Sequence, residues 1–393
     1  MPIDLVAPHD LGVPSELAAR PVSIVTRADR IAVPLVALGT GLAALTRFSG
    51  AASALVAFLV AAVALAGQAF LVSSATERIG ERYGTALTGT LQSTVGNLPE
   101  FFVVVFALQA GDTVVAQTAL LGSILVNALL LLGLVLVVGS LSSEGQVMRF
   151  SPRLPNDTAT LLLVASFIIV LLGLAHASGD VAAAHLQTIT IVGAAVLLGV
   201  YLIWLGQYLR GAPGAGAGPG GEPGGEGAHR AQAAGGERSA TPGVGPALAI
   251  LLAAGTASAF TSDWFIHALE PAIRHLHLSQ AFAGLVIVAI AGNAVEHVVA
   301  IVLARRGAHD LAISVVKSSV AQIAAFLYPV LVLVSLALRT QLTFALAPVY
   351  IGALIGTAIL IWQITGDGEA TPFEGAALVA MFVAVAMVAA YQV

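Results

Sequence analysis

No cysteine occurs anywhere in the 393 residues. That excludes a disulfide framework, a thiolate metal site and a cysteine nucleophile. Charge is nearly as scarce: Asp, Glu, Lys and Arg together make up 9% of the chain, against roughly 25% in an ordinary soluble domain. A single lysine stands beside fifteen arginines, and no basic patch offers a surface to nucleic acid. What fills the chain instead is apolar, at 58% of residues. This is the composition of an all-α integral membrane protein in contact with a lipid bilayer.

A bilayer core of roughly 30 Å takes about 20 apolar residues per helix. On that measure the hydropathy pattern predicts eleven spans: 31–49, 51–76, 86–110, 113–140, 158–177, 181–209, 245–266, 280–304, 309–338, 341–365 and 371–391. Residues 1–30 read as a cytoplasmic tail. Residues 211–244 are dominated by Gly, Ala and Pro, too little apolar surface to offset ordering, and read as a flexible cytoplasmic linker between two halves. With the N-terminus inside, twelve arginines fall on the cytoplasmic side and only Arg47, Arg274 and Arg339 outside. The C-terminus then lies outside a multi-pass cell (inner) membrane protein.

Two short stretches break the apolar pattern. Gly96-Asn97-Leu98-Pro99-Glu100 returns as Gly292-Asn293-Ala294-Val295-Glu296, each with an amide and a carboxylate three residues apart on one helical face. At the same offset of 196, Gly111 falls on Gly307 and Ser123 on Ser319, so the register holds without a gap. The expectation is one extra helix, 31–49, followed by five-helix repeats at 50–210 and 245–393. An odd number of helices per repeat inverts the second copy, and inverted repeats place their site near the midplane.

Further polar groups share the faces that would meet there. Ser123 and Asn127 are i and i+4 in the fourth span, and Ser318, Ser319 and Gln322 lie within about 100° of one another in the ninth. The resulting shell of two carboxylates and several neutral oxygens suits a hard cation such as Ca2+. His297 is the only histidine beside it, which argues against a zinc-type centre. Glu100 and Glu296, facing each other, repel, so one takes a proton when the cation leaves. Gly96, Pro99 and Gly292 are expected to break the helices beside the acidic residues and to loosen the carbonyl near Val95.

These motifs resemble the calcium/proton exchangers of the cation/calcium exchanger superfamily. Gly96 to Glu100 with Leu121 to Asn127 is similar to that family's first repeat; Gly292 to His297, Asp310-Leu311 and Ser318 to Ile323 are similar to its second. The resemblance implies two inverted five-helix bundles with Glu100 and Glu296 carrying the cation and the protons, and no cofactor beyond the transported Ca2+ and H+. Leu98-Pro99, Ser318 and Val320 depart from the family pattern, and the linker is not acidic as in many relatives.

The alternatives are exchange against sodium or another monovalent cation, a passive cation channel, and an intramembrane enzyme. The last finds no nucleophile and base to support it. His297 is read either as a proton carrier or as an orienting group. Lys317 lies roughly 140° around the helix from the Ser318, Ser319 and Gln322 face. It is read either as a side chain reaching the rim or an aqueous vestibule, or as a coupling charge. Glu77, Glu81, Asp263 and Glu270 sit near span ends, as solvated loop charges or as an entrance gathering cations.

Overall fold

The computed structural model describes residues 27–83, 97–151, 153–210 and 245–392. Most of the tail, the linker 211–244, the start of the third predicted span, Val95 and Gly96 lie outside them, as do the side chains of Glu77 and Glu81.

The described residues are helical almost throughout. In chain order the helices are α1 Arg27–Ser49, α2 Ala54–Tyr83, α3 Leu98–Ala110, α4 Thr113–Leu141, α5 Arg153–Ala177 and α6 Leu186–Arg210. The second half holds α7 Gly245–Leu276, α8 Gln280–Gly292, α9 Ala294–Arg305 and α10 His309–Ser335. It ends with α11 Pro348–Thr365 and α12 Pro372–Ala390. Among the described residues nine helices are long and apolar enough to cross a bilayer, and α8 with α9 forms one more span, bent by 62°. α3 is apolar but has 13 residues, its predicted beginning lying outside the described segment.

Several boundaries move for local reasons. α7 runs on to Leu276 instead of ending near 266, carrying Pro271 inside it. α11 starts at Pro348 instead of 341, because proline is at home in a first turn that has no helical partner for its missing N–H. The span predicted over 280–304 is broken at Asn293.

The duplication is visible in backbone angles. Asn97 and Asn293 precede α3 and α9 at φ −94°, ψ 21° and φ −99°, ψ 12°. Gly111 and Gly307 end the same helices at φ 90° and 78°, a left-handed conformation that glycine adopts without a Cβ penalty. α4 and α10 each widen into a π-helical segment at matching places, Val126–Leu131 and Ile323–Leu327. Such segments recur at functional sites and are rare elsewhere.

Contacts between connecting segments sort onto two ends of the bundle. At one end a two-residue strand, β1 Met148–Arg149, pairs antiparallel with β2 Glu369–Ala370, and the Asp310 carboxylate accepts from the Ser151 N–H. At the other end Gln117 donates to the carbonyls of Thr343 and Ala345 at 3.3 Å. There too Ser279 donates to the Ala389 carbonyl, and Tyr350 to Gln392 at 2.6 Å. This partition follows the alternation predicted from the spans. The beginning of α2 meets the C-terminal part of α7 at the second end, around Ala54, Ala57, Trp264 and Pro271, so the first helices of the two repeats run in opposite directions.

Lipid tails are as apolar as leucine, so helix association here depends on close packing. Gly122 of α4 lies against the backbone of Leu285 in α8, and Gly284 against Thr118 and the Val115 carbonyl. Gly133 and Gly375 bring α4 and α12 together in the same way, a Cβ on either falling 2.6 Å from the other's carbonyl oxygen. Gly122→Ala would force α4 off α8 and is expected to destabilise the protein by about 1–3 kcal/mol. Gly199→Ala, where a Cβ meets nothing within 4 Å, should not. The midpoint of thermal inactivation in detergent distinguishes the two.

Candidate functional site

The fixed point of the polar interior is a backbone carbonyl. The Asn293 side chain donates its Nδ2 to the Ala289 carbonyl at 2.9 Å and to Ser123 Oγ at 3.1 Å. A carbonyl only accepts, so the orientation of this amide is settled and its Oδ1 points the other way. There it accepts from Asn127 Nδ2 at 3.0 Å, and the same Nδ2 reaches Ser319 Oγ at 3.1 Å. With its nitrogen so used, Asn127 presents Oδ1 to His297 Nε2 at 3.1 Å. The histidine must therefore carry its proton on Nε2. Ser319, accepting from Asn127, donates its own hydroxyl to Glu296 Oε2 at 2.7 Å.

The result is one connected chain through Glu296, Ser319, Asn127, Asn293 and Ser123, in which Asn127 Nδ2 donates toward both ends. It crosses between the repeats three times, since Ser123 and Asn127 belong to α4 and the other three to α9, its Asn293 cap and α10. Asn127, Asn293, Ser123 and Ser319 are buried, while Glu296 and His297 are half-buried. Beyond Ser123 lies Glu100. Glu100, Ser123 and Gly292 line one cavity with Val103, Val104, Ala119, Leu120 and Val288, of about 10 Å3, the threshold for a single water. Glu100 is buried, and its Oε2 has no hydrogen-bond partner among the described residues. An unpaired oxygen in such a place costs free energy unless a water, a proton or a cation meets it.

The break expected beside Glu296 is present, with Gly292 next to it, while the residues before Asn97, where the other is expected, lie outside the described residues. Pro99 lies in the first turn of α3, where its missing N–H costs nothing. Asn97, just before α3, has nearly the same angles as Asn293 in the repeat that lacks a proline. Gly292 ends α8, and its lack of a side chain serves Glu100, whose carboxyl atoms lie 3.1–3.3 Å from where a Cβ would be. Gly96 lies outside the described residues.

The remaining predicted residues divide. Ser318 and Gln322 are half-buried on α10, but neither joins the hydrogen-bonded chain. Lys317 does not reach a rim or vestibule. It is 6% exposed, packed among Ala128, Leu132, Leu162, Val316, Val320 and Ile361, and donates Nζ to Thr365 Oγ1 at 2.7 Å. Thr365 passes its own hydroxyl to the Ile361 carbonyl, which leaves its oxygen free to accept. At the far end of the bundle Glu270 pairs with Arg274 at 2.6 Å and Asp263 with His267 at 3.3 Å.

Sequence reasoning missed the Ala289 carbonyl, Thr365, and Ser262, whose hydroxyl approaches the Pro99 carbonyl at 3.5 Å. Ala289 stands i−4 from Asn293, a spacing that points to it once Asn293 is placed in a helix end. No pattern in the chain marks Thr365.

The sequence profile of the sodium/calcium exchanger protein family matches residues 53–207 and again residues 246–391, one match to each half. The chain is 31% identical over 351 residues to a Ca2+/H+ antiporter of Synechocystis sp., covering 84% of this chain and 89% of that protein. It is 30% identical over 363 residues to the Ca2+/H+ antiporter ChaA of Bacillus subtilis, covering 91% of this chain and 98% of that one. The solved structure of native YfkE superposes with a TM-score of 0.73 at 26% identity, over 92% of this chain and 99% of that chain. The H+/Ca2+ exchanger CAX shares the fold, with a TM-score of 0.70 at 16% identity over 93% of this chain and 92% of that one. The chain belongs to the sodium/calcium exchanger protein family, among relatives that are Ca2+/H+ antiporters.

Proposed function

We propose that this protein exchanges Ca2+, or a similar divalent cation, for protons by alternating access, exporting calcium across the cell membrane. The observation that carries the reading is the continuous hydrogen-bond chain that links Glu296 in one repeat to Ser123, beside Glu100, in the other. The two carboxylates are the titrating groups. With a dication between them their charges are balanced, and with a proton on each they are neutral. A pair left ionised and empty in a site shut off from water is the costly state. Occupancy by metal or by protons, one excluding the other, is the basis of exchange.

Neutral oxygens complete the shell. Asn97, Asn127, Asn293, Ser123 and Ser319 supply amide and hydroxyl oxygens of the kind a hard cation takes. Ser318 and Gln322 stand on the same helix as Ser319, α10, and would add a hydroxyl and an amide oxygen to that shell. His297, fixed as an Nε2–H donor on Asn127, is a positioning residue that holds the asparagine oxygen in place. Lys317, tied to Thr365, fastens α10 to α11. Sodium as the counter-ion is not favoured, because the relatives that match along most of the chain are antiporters of Ca2+ and H+.

Orientation follows from arginine. The end of the bundle holding β1 and β2 carries Arg149, Arg305 and Arg306, and the enrichment of arginine on the inner side of membranes makes it the cytoplasmic end. The linker 211–244 connects spans at that end, so this reading puts it in the cytoplasm with the N-terminus and leaves the C-terminus outside.

Everted membrane vesicles with an imposed pH gradient test the mechanism. The native chain should take up Ca2+ and release protons, and Glu100→Gln or Glu296→Gln should each abolish both fluxes. Full exchange in both variants, or uptake that persists after the gradient is collapsed, would sink it. In the same assay Lys317→Met should keep exchange, since one neutral hydrogen bond contributes only about 0.5–1.5 kcal/mol and the methionine preserves the packing. A variant that folds yet loses proton coupling would instead make the ammonium part of the exchange.

A further inference from the structure

At the end of the bundle opposite β1 and β2, a cavity of about 210 Å3 opens between α1, α2 and α7, far above the roughly 10–15 Å3 that one water needs. Its walls are Ala43, Ala54, Ala57, Ala268 and Pro271, and its polar groups are Thr46, Arg47, Trp264 and His267. It shares no residue with the exchange site.

Donors outnumber acceptors there. Arg47 stacks its guanidinium 5.7 Å over the Phe48 ring and makes no ion pair among the described residues, unlike Arg274 at the same end, which is held by Glu270. The Trp264 indole N–H has no acceptor among the described residues, its ring being held edge-on by Phe48 at 5.9 Å. Thr46 spends its hydroxyl on the Ala43 carbonyl. His267 directs Nδ1 at the backbone carbonyl and carboxylate of Asp263, so that carboxylate already has a partner. A guanidinium and an indole N–H without protein acceptors, on the rim of an open cavity, call for an anionic oxygen ligand.

Surroundings narrow the source. Phe48, Phe260 and Trp264 form an aromatic cluster at a helix end, the setting of the membrane–water boundary. Toward the midplane the surface continues as exposed Leu42, Leu45 and Phe260. A ligand with a phosphate at the boundary and a hydrocarbon chain running inward meets both surfaces at once. We propose that this cavity binds the phosphodiester headgroup of a phospholipid, with Arg47 and Trp264 donating to phosphate oxygens and one acyl chain lying along Leu42, Leu45 and Phe260.

The inference rests on the membrane fold and not on exchange, so its failure leaves the transport reading untouched. Native mass spectrometry of the full chain, released from detergent with phosphatidylglycerol, diacylglycerol of the same acyl chains, or inorganic phosphate, reads occupancy directly. The native protein should retain phosphatidylglycerol and neither of the other two. Arg47→Gln should weaken retention about tenfold or more, the worth of a charge-assisted hydrogen bond, and Trp264→Phe should weaken it less while keeping the ring. Equal retention of diacylglycerol, or undiminished phospholipid binding by Arg47→Gln, would overturn the proposal. So would inorganic phosphate displacing the lipid, which would make the ligand a soluble anion.

Discussion

The interior of this protein depends on one hydrogen bond to a backbone oxygen, from Asn293 Nδ2 to the Ala289 carbonyl. Away from water each polar atom must find a partner within the protein or carry the full cost of desolvation. Fixing the Asn293 amide fixes Asn127, which fixes the donor on His297 and turns Ser319 toward Glu296. The break between α8 and α9 makes this possible, because Asn293 sits at the bend, where its side chain can turn back to its own helix and across to α4. An unbroken helix would leave the same residue as an ordinary polar side chain on an apolar rod.

Duplication supplied two copies of every part, yet the copies have different partners. Gly122 corresponds to Ser318, Leu121 to Lys317 and Asn127 to Ile323 at the common offset. The asparagine amide at this position therefore comes only from α4, and the buried lysine only from α10. Glu296 is half-buried and held by Ser319, whereas Glu100 is buried with one oxygen unpartnered against a cavity. Two carboxylates related by pseudo-symmetry are thus held in unequal surroundings.

Legibility in the sequence followed physical range. Span positions are set by hydropathy summed over some twenty residues, so nearly all of them could be read from the chain. The Asn and Glu pairs stood out because polar side chains are expensive in lipid, and the register of 196 identified their mates. The illegible parts depended on neighbours distant in the chain. Lys317 had a bearing on its own helix but no visible partner, and only the placement of α11 brings Thr365 to it. Gln322 shares a face with Ser319 by angle, yet it stays outside the hydrogen-bond chain, because a shared face does not say which partner from another helix comes within reach. Pro99 shows the converse: the local rule about proline is sound, but whether it breaks a helix or begins one depends on where that helix starts.

Close packing and polar order meet in consecutive residues of α4. Gly122 has no side chain, and that lets the α4 backbone touch Leu285 just before the α8 bend. Ser123, the next residue, then lies close enough for Asn293 Nδ2 to reach it at 3.1 Å. A hydrogen bond already 3.1 Å long is broken by a separation of about 1 Å, and a methyl group in the seam, which would overlap the Leu285 carbonyl oxygen, would force a displacement of about that size. Neither residue works without the other. Glycine determines the separation of the repeats and serine uses it, so the seam between the halves is set by backbone contact and the site is built on that contact.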